Sequence, residues 1–160
     1  MKKIFSFLII ASIFAFGIVA SIVYSDIIKS GKELPLGSIK KDGPQDYIKE
    51  NQILISDEGV MINIKNAEWS RYADTHSMEP VINANANGIE IVPKCENLRK
   101  GDIVVYESKQ ANGLIVHRIV DLAQDEEGAY FILKGDNNPM ADPEKVRCSQ
   151  IKYQVIGIIY

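Results

Sequence analysis

A mainly β fold is predicted, with small antiparallel sheets behind an N-terminal transmembrane helix, and three observations predict it. After residue 52 the apolar residues fall into short runs that alternate with polar ones, the period of a half-buried strand. No helical periodicity persists beyond that point. Before it stands a single uncharged run, residues 4–24 (IFSFLIIASIFAFGIVASIVY), unlike anything later in the chain.

That first run has 21 residues. As a helix rising ~1.5 Å per residue it would span roughly 30 Å, the thickness of a bilayer's hydrocarbon core. A cleaved leader has a shorter apolar region, roughly 7–15 residues, and a small-x-small cleavage site, so an uncleaved anchor is expected. Lys2 and Lys3 precede it, which predicts a cytoplasmic tip at residues 1–3 and export of everything after the anchor. Residues 25–51 are rich in Lys, Gly, Pro and Ser at their start and read as a linker, with a helical turn or two at 46–51 (DYIKEN).

Residues 52–160 are then the exported domain. QILIS (52–56) and VMINIK (60–65) predict a hairpin around Asp57-Glu58-Gly59. GIEIVP (88–93) alternates as a strand. DIVVY (102–106) and LIVHRIV (114–120) flank the favoured turn pair Asn112-Gly113. YFIL (130–133) and YQVIGIIY (153–160) complete the set. So many short strands at short spacing predict a small barrel or a pair of packed sheets.

Composition narrows the function. The 160 residues carry a net charge of −3 with no basic cluster, so nucleic acid is not an expected partner. Cys95 and Cys148 are far apart and form no C-x-x-C pair, so neither a structural zinc site nor any other metal or cofactor is expected. Two partly buried free thiols or, in an exported domain, one disulfide both remain open.

Three blocks carry potential chemistry: Thr75-His76-Ser77-Met78-Glu79-Pro80; Gly101-Asp102-Ile103-Val104-Val105-Tyr106 with Val116-His117-Arg118-Ile119-Val120; and Lys134-Gly135-Asp136-Asn137-Asn138 with Asp142 beyond it. A serine hydroxyl is a poor nucleophile at neutral pH and needs a base, and the base needs a third group to set its tautomer. Only two histidines exist. His117 sits mid-strand, sharing a face with Ile115 and Ile119, where partial desolvation and a nearby carboxylate would oppose each other and hold it near neutrality. Alone it would read as a packed strand residue. His76 directly precedes Ser77, adjacent side chains diverge, and it reads as a loop residue. Asp136 and Asp142 lie in a Gly- and Pro-containing loop, where acids are ordinarily solvated turn residues.

Together these blocks resemble the type I signal peptidase family, over residues 74–160 and in having an anchor. The S-M-E-P block is similar to the family's nucleophile motif, which implies Ser77 as nucleophile. G-D-I-V-V-Y resembles the strand that follows. Where bacterial-type members carry a lysine base this chain has His117, which resembles the archaeal and endoplasmic-reticulum type. K-G-D-N-N with a second aspartate six residues after the first is similar to that type's pattern and implies Asp142 as the acid orienting the histidine, with Asp136 shaping the site or assisting. Thr75, two residues before Ser77, is the implied oxyanion donor beside the Ser77 amide. The chain departs from the family in having Thr75 and His76 where small residues are usual, in its longer stretch 25–74, and in lacking the usual threonine after Pro80.

The resemblance implies a membrane-bound serine endopeptidase that removes N-terminal signal peptides from exported preproteins. Such substrates would be held as an added strand with small residues at the first and third positions before the cut. Preproteins and membrane lipid are the expected partners. A specialised processing peptidase of the same fold, or an anchored β module with a decayed site, are the alternatives.

Overall fold

The computed structural model describes residues 41–160, and the predicted anchor at 4–24 lies outside the described residues. Among the described residues no helix is long and apolar enough to cross a membrane. Residues Asp42–Tyr160 form one compact unit. It is mainly β and antiparallel. The elements are a hairpin, β1 (Ile53–Ser56) and β2 (Gly59–Ile62), then β3 (Glu68–Arg71), β4 (Asn87–Ile91), β5 (Ile103–Ser108), β6 (Gly113–Asp125), β7 (Gly128–Lys134) and β8 (Ile151–Ile159). Short 3-10 turns at Glu50–Gln52, Cys95–Asn97 and Cys148–Gln150 link them, and the first is all that forms near the helical turns expected at 46–51.

The six later strands make one sheet in the order β3-β4-β8-β5-β6-β7. The barrel or paired-sheet expectation is therefore met only in its antiparallel β character. The hydrogen-bonded order runs open from β3 to β7, and the small β1–β2 sheet is exposed along its whole length rather than packed on a second layer. Two further differences have local causes. β3 (EWSR) is polar on most positions and carries no alternation to reveal it; it forms because β4 offers a free edge for it to pair. β6 runs on to Asp125, past the expected end at 120, because a register shift between Ile119 and Asp121 bends the strand without ending it.

β5 is the central strand, paired to β8 on one side and β6 on the other. Its run Ile103-Val104-Val105-Tyr106 is buried at every position, as a strand covered on both faces should be. Successive side chains leave on opposite faces, so β5 feeds two cores. Val104 and Tyr106 join Leu98, Ile119, Phe131, Leu133, Val146 and Ile151. Ile103 and Val105 join Met78, Ile82, Ala86 and Val155. Each buried side chain of this size contributes about 1.5–3 kcal/mol.

The Gly101-Asp102 pair that opens the strand is structural. The Asp102 carboxylate is fully buried and accepts from the Gln45 amide (3.0 Å), the Gln45 side chain (2.9 Å), the Tyr47 hydroxyl (3.2 Å) and the Arg99 amide (2.9 Å). Gly101, at φ +99°, lies so close to the Gly43 carbonyl that a Cβ would collide with it. Together they fasten the end of the linker to the domain. Cys95 and Cys148 are joined in a disulfide, with Cα atoms 5.9 Å apart, which ties two 3-10 turns across 53 residues of sequence. Of the two open alternatives for these cysteines, the bonded one is present.

Candidate active site

Ser77 sits in the loop between β3 and β4. Its neighbour Met78 is 2% exposed and plugs into the core beside Ile103 and Val155, which explains why a flexible apolar residue follows the serine. The 134–138 loop grips the same backbone from the other side. The Asn137 amide donates to the Ser77 carbonyl at 2.9 Å, and Asn137 Nδ2 donates to the His76 carbonyl at 3.1 Å. A Cβ on Gly135 would stand 2.5 Å from the Ser77 carbonyl oxygen, so only glycine lets the two loops approach this closely. The Thr75 and Ser77 hydroxyls are 3.1 Å apart, and either can donate.

His117 lies on β6 and is 5% exposed. It pairs across from Val104, so it leaves the sheet on the face of Ile115 and Ile119, beside the Tyr106 ring (centroids 6.5 Å apart). Its Nδ1 is 2.6 Å from Asp142 Oδ2. A carboxylate only accepts, so Nδ1 carries the hydrogen, and in the neutral ring Nε2 keeps its lone pair. Asp142 is held in turn by its own amide, which donates to the Leu133 carbonyl (2.8 Å), and by the Tyr106 hydroxyl, which donates to Oδ2 (2.9 Å). Burial, reinforced by the Asp142 carboxylate, pushes the Tyr106 phenol above its ordinary value and keeps it a donor.

Asp136 goes elsewhere. It makes a two-pronged pair with Arg118, Nε to Oδ1 at 2.7 Å and Nη2 to Oδ2 at 2.6 Å, while Arg118 Nη1 donates to the Gly101 carbonyl at 2.8 Å. Arg118 and His117 are adjacent on β6 and leave on opposite faces, which separates the two acids. Bidentate geometry of this kind fixes the loop carrying Asn137 relative to β6.

Ser77, Thr75, His117 and Asn138 line one cavity of about 550 Å³, whose other walls come from β3, β4, β5, β6 and β8. The structure thus brings Ser77, Thr75 and His117 to a common cavity, sets Asp142 behind His117, and sets Asp136 against Arg118. Sequence reasoning missed Tyr106, Arg118 and Asn137 as supports of the site. Tyr106 was legible in part, because period-two alternation across the Asn112-Gly113 turn puts it on the same face as His117. Arg118 and Asn137 carried no signal beyond their place beside His117 and Asp136.

His76 is exposed, at φ +59°, and its ring is 2.8 Å from Glu79 and 3.7 Å from Asp74. Glu79 chiefly, with Asp74, raises its pKa. Asp74, His76 and Glu79 bring one potential ligand atom each within 4.8 Å of one another, a grouping the sequence spacing did not suggest. The His76–Glu79 hydrogen bond accounts for it, and exposed groupings of this kind are common without an ion.

The β domain thus sets a hydroxyl side chain and an imidazole–carboxylate pair along one cavity. No family model matches the chain. It is similar in part to signal peptidase I W of Bacillus subtilis, with 33% identity over 51% of this chain and 43% of that protein. It is also similar to the signal peptidase complex catalytic subunit sec11 of Schizosaccharomyces pombe, 35% identical over 37% of this chain and 33% of that one. An uncharacterized protein of Methanocaldococcus jannaschii is 50% identical over 28% of this chain and 22% of its own length. The chain spans less than half the length of each of these relatives. Partial homology to signal peptidases is what these comparisons establish.

Proposed function

We propose that this chain is a membrane-anchored serine endopeptidase that removes N-terminal signal peptides from exported preproteins, with Ser77 as nucleophile and His117 as general base. The observation that carries the reading is the His117–Asp142 pair at 2.6 Å, bordering the cavity that Ser77 also lines. Nε2 takes the Ser77 proton as Oγ attacks the peptide carbonyl, then returns it to the departing amine. Asp142 holds the tautomer and offsets the charge of the imidazolium; Tyr106 holds Asp142. The Thr75 hydroxyl turns from Ser77 to the developing oxyanion, beside the Ser77 amide, and one such donor is worth about 3 kcal/mol. Asp136 acts at one remove, through Arg118 and the loop that supports Ser77.

The cavity wall formed by β3 is an outer edge of the sheet, open to an added peptide strand. The uncharged run 4–24 would hold the enzyme in the bilayer that also holds its substrates, with the domain on the far side from Lys2 and Lys3, and confinement of both raises their effective concentration. The test is cleavage of a preprotein by the full chain in detergent or lipid. Cutting should fall after small residues, and Ser77→Ala or His117→Ala should each slow it by at least about a thousandfold. Either variant cutting at the wild-type rate removes this mechanism.

A further inference from the structure

Glu90 is an acidic residue that the proposed chemistry does not use. It lies on β4, lines the same cavity, and is 3% exposed. Buried carboxylates are ordinarily matched by a cation or by a full set of donors. Here one oxygen, Oε1, takes both available donors, the Ser70 hydroxyl at 2.5 Å and the Tyr72 hydroxyl at 3.0 Å. Oε2 has no hydrogen-bond partner among the described residues, and no Lys, Arg or His nitrogen lies within 4.0 Å of this carboxylate. The arrangement is built rather than incidental. Gly88 stands across from Ser70, and any Cβ there would overlap the Tyr72 hydroxyl and crowd Ser70 Oγ, so the absent side chain is what admits both donors to Glu90.

A second carboxylate adds to the field. Glu68 pairs directly across from Glu90 in the β3–β4 ladder, shares its face, and also lines the cavity. It too has no cation within 4.0 Å among the described residues. A hydrogen bond to Glu68 chiefly, with its charge, raises the pKa of the neighbouring Tyr153 phenol, which also lines the cavity. Along the sheet, β4 is three strands from β6, roughly 14 Å at ~4.8 Å per strand, so this end, whose lining carries Glu68 and Glu90 against the single cation Arg71, is separate from the His117 end of the cavity.

We propose that the β3–β4–β8 end of the cavity is a subsite for a basic side chain, lysine or arginine, of the bound peptide, with Glu90 as its counter-charge and Glu68 as a second attractor. The inference rests on the peptidase reading, and it adds a charge requirement to a substrate otherwise recognised by small residues. A cation entering from water loses hydration, which a carboxylate already positioned by Ser70 and Tyr72 replaces; an apolar side chain would cut Oε2 off from the cavity without giving it a partner.

The test uses the full chain in detergent and a peptide panel with small residues held constant before the cut. Lys, norleucine and Glu are substituted one position at a time on both sides of it. At one position Lys should exceed norleucine in kcat/KM by about tenfold, with Glu below norleucine. In Glu90→Gln the Lys-to-norleucine ratio at that position should fall to about one, and in Glu68→Gln it should fall partway. A parallel arm measures peptide binding by anisotropy to the Ser77→Ala chain and to Ser77→Ala/Glu90→Gln, with the same ordering expected in Kd. If no peptide is cleaved, the peptidase reading fails and the binding arm still decides the subsite. Equal handling of Lys, norleucine and Glu at every position, or a preference for Lys that survives in Glu90→Gln, overturns the proposal.

Discussion

His117 Nδ1 meets Asp142 Oδ2 at 2.6 Å, while Asp136, six residues earlier in the same loop, turns to Arg118 on the opposite face of β6. Two aspartates that look equivalent in the chain are thus assigned different partners by one alternation of a strand.

The first prediction follows from that division. Asp142→Asn should cost about 10³–10⁴ in kcat, because an amide in that place can accept or donate and no longer enforces the tautomer with hydrogen on Nδ1. Asp136→Asn should leave His117 correctly oriented and act on the 134–138 loop instead. The expected signature is a loss of stability, about 3–5 kcal/mol for breaking one side of a largely buried pair, with a smaller loss of turnover in the folded fraction. Steady-state kinetics and denaturant melts on both variants check it.

Tyr106→Phe removes only the hydroxyl that donates to Asp142 Oδ2. The ring and its packing in the core remain. Stability should fall by about 1.5–3 kcal/mol, the range for hydrogen bonds to charged groups. Under the proposed mechanism the rate should fall by roughly tenfold, with KM unchanged, since Tyr106 does not line the cavity.

Gly135→Ala tests the close approach of the two loops. The added Cβ would stand 2.5 Å from the Ser77 carbonyl, so the Asn137–Ser77 hydrogen bond must lengthen or break. Misplacing a nucleophile by about 1 Å costs on the order of a hundredfold in rate. Turnover should fall that far in a protein that still melts cooperatively.

His76 gives a pH marker. Its pKa is raised by the Glu79 hydrogen bond, then by Asp74. A value above that of the unfolded chain means the interaction is complete below about pH 6.5 and is lost as pH rises through the elevated folded value. The imidazole proton resonances of His76 should therefore titrate above the ordinary midpoint, and Glu79→Gln should bring the midpoint down. A ring this exposed should move global stability little.

The Cys95–Cys148 bond closes a segment of 53 residues. Cys95→Ser/Cys148→Ser, or reduction of the wild type, should lower stability by about 2–4 kcal/mol. Thermal melts with and without reductant measure this directly.

The order of residues alone carried the β class, the hairpin at 53–62 and most of the six-stranded sheet, because alternation is a local property of a chain; the roster of Ser77, His117, Asp136, Asp142 and Thr75 came from the family resemblance, and their catalytic roles stand as the proposal. β3 stayed hidden because a polar edge strand forms only where a neighbour offers unpaired backbone. Which aspartate faces His117, whether the cysteines join, and that Glu90 is buried beside Ser70 and Tyr72 were left to the tertiary structure. Each of those depends on which face of the sheet a side chain leaves from and on what another segment, dozens of residues away, brings against it.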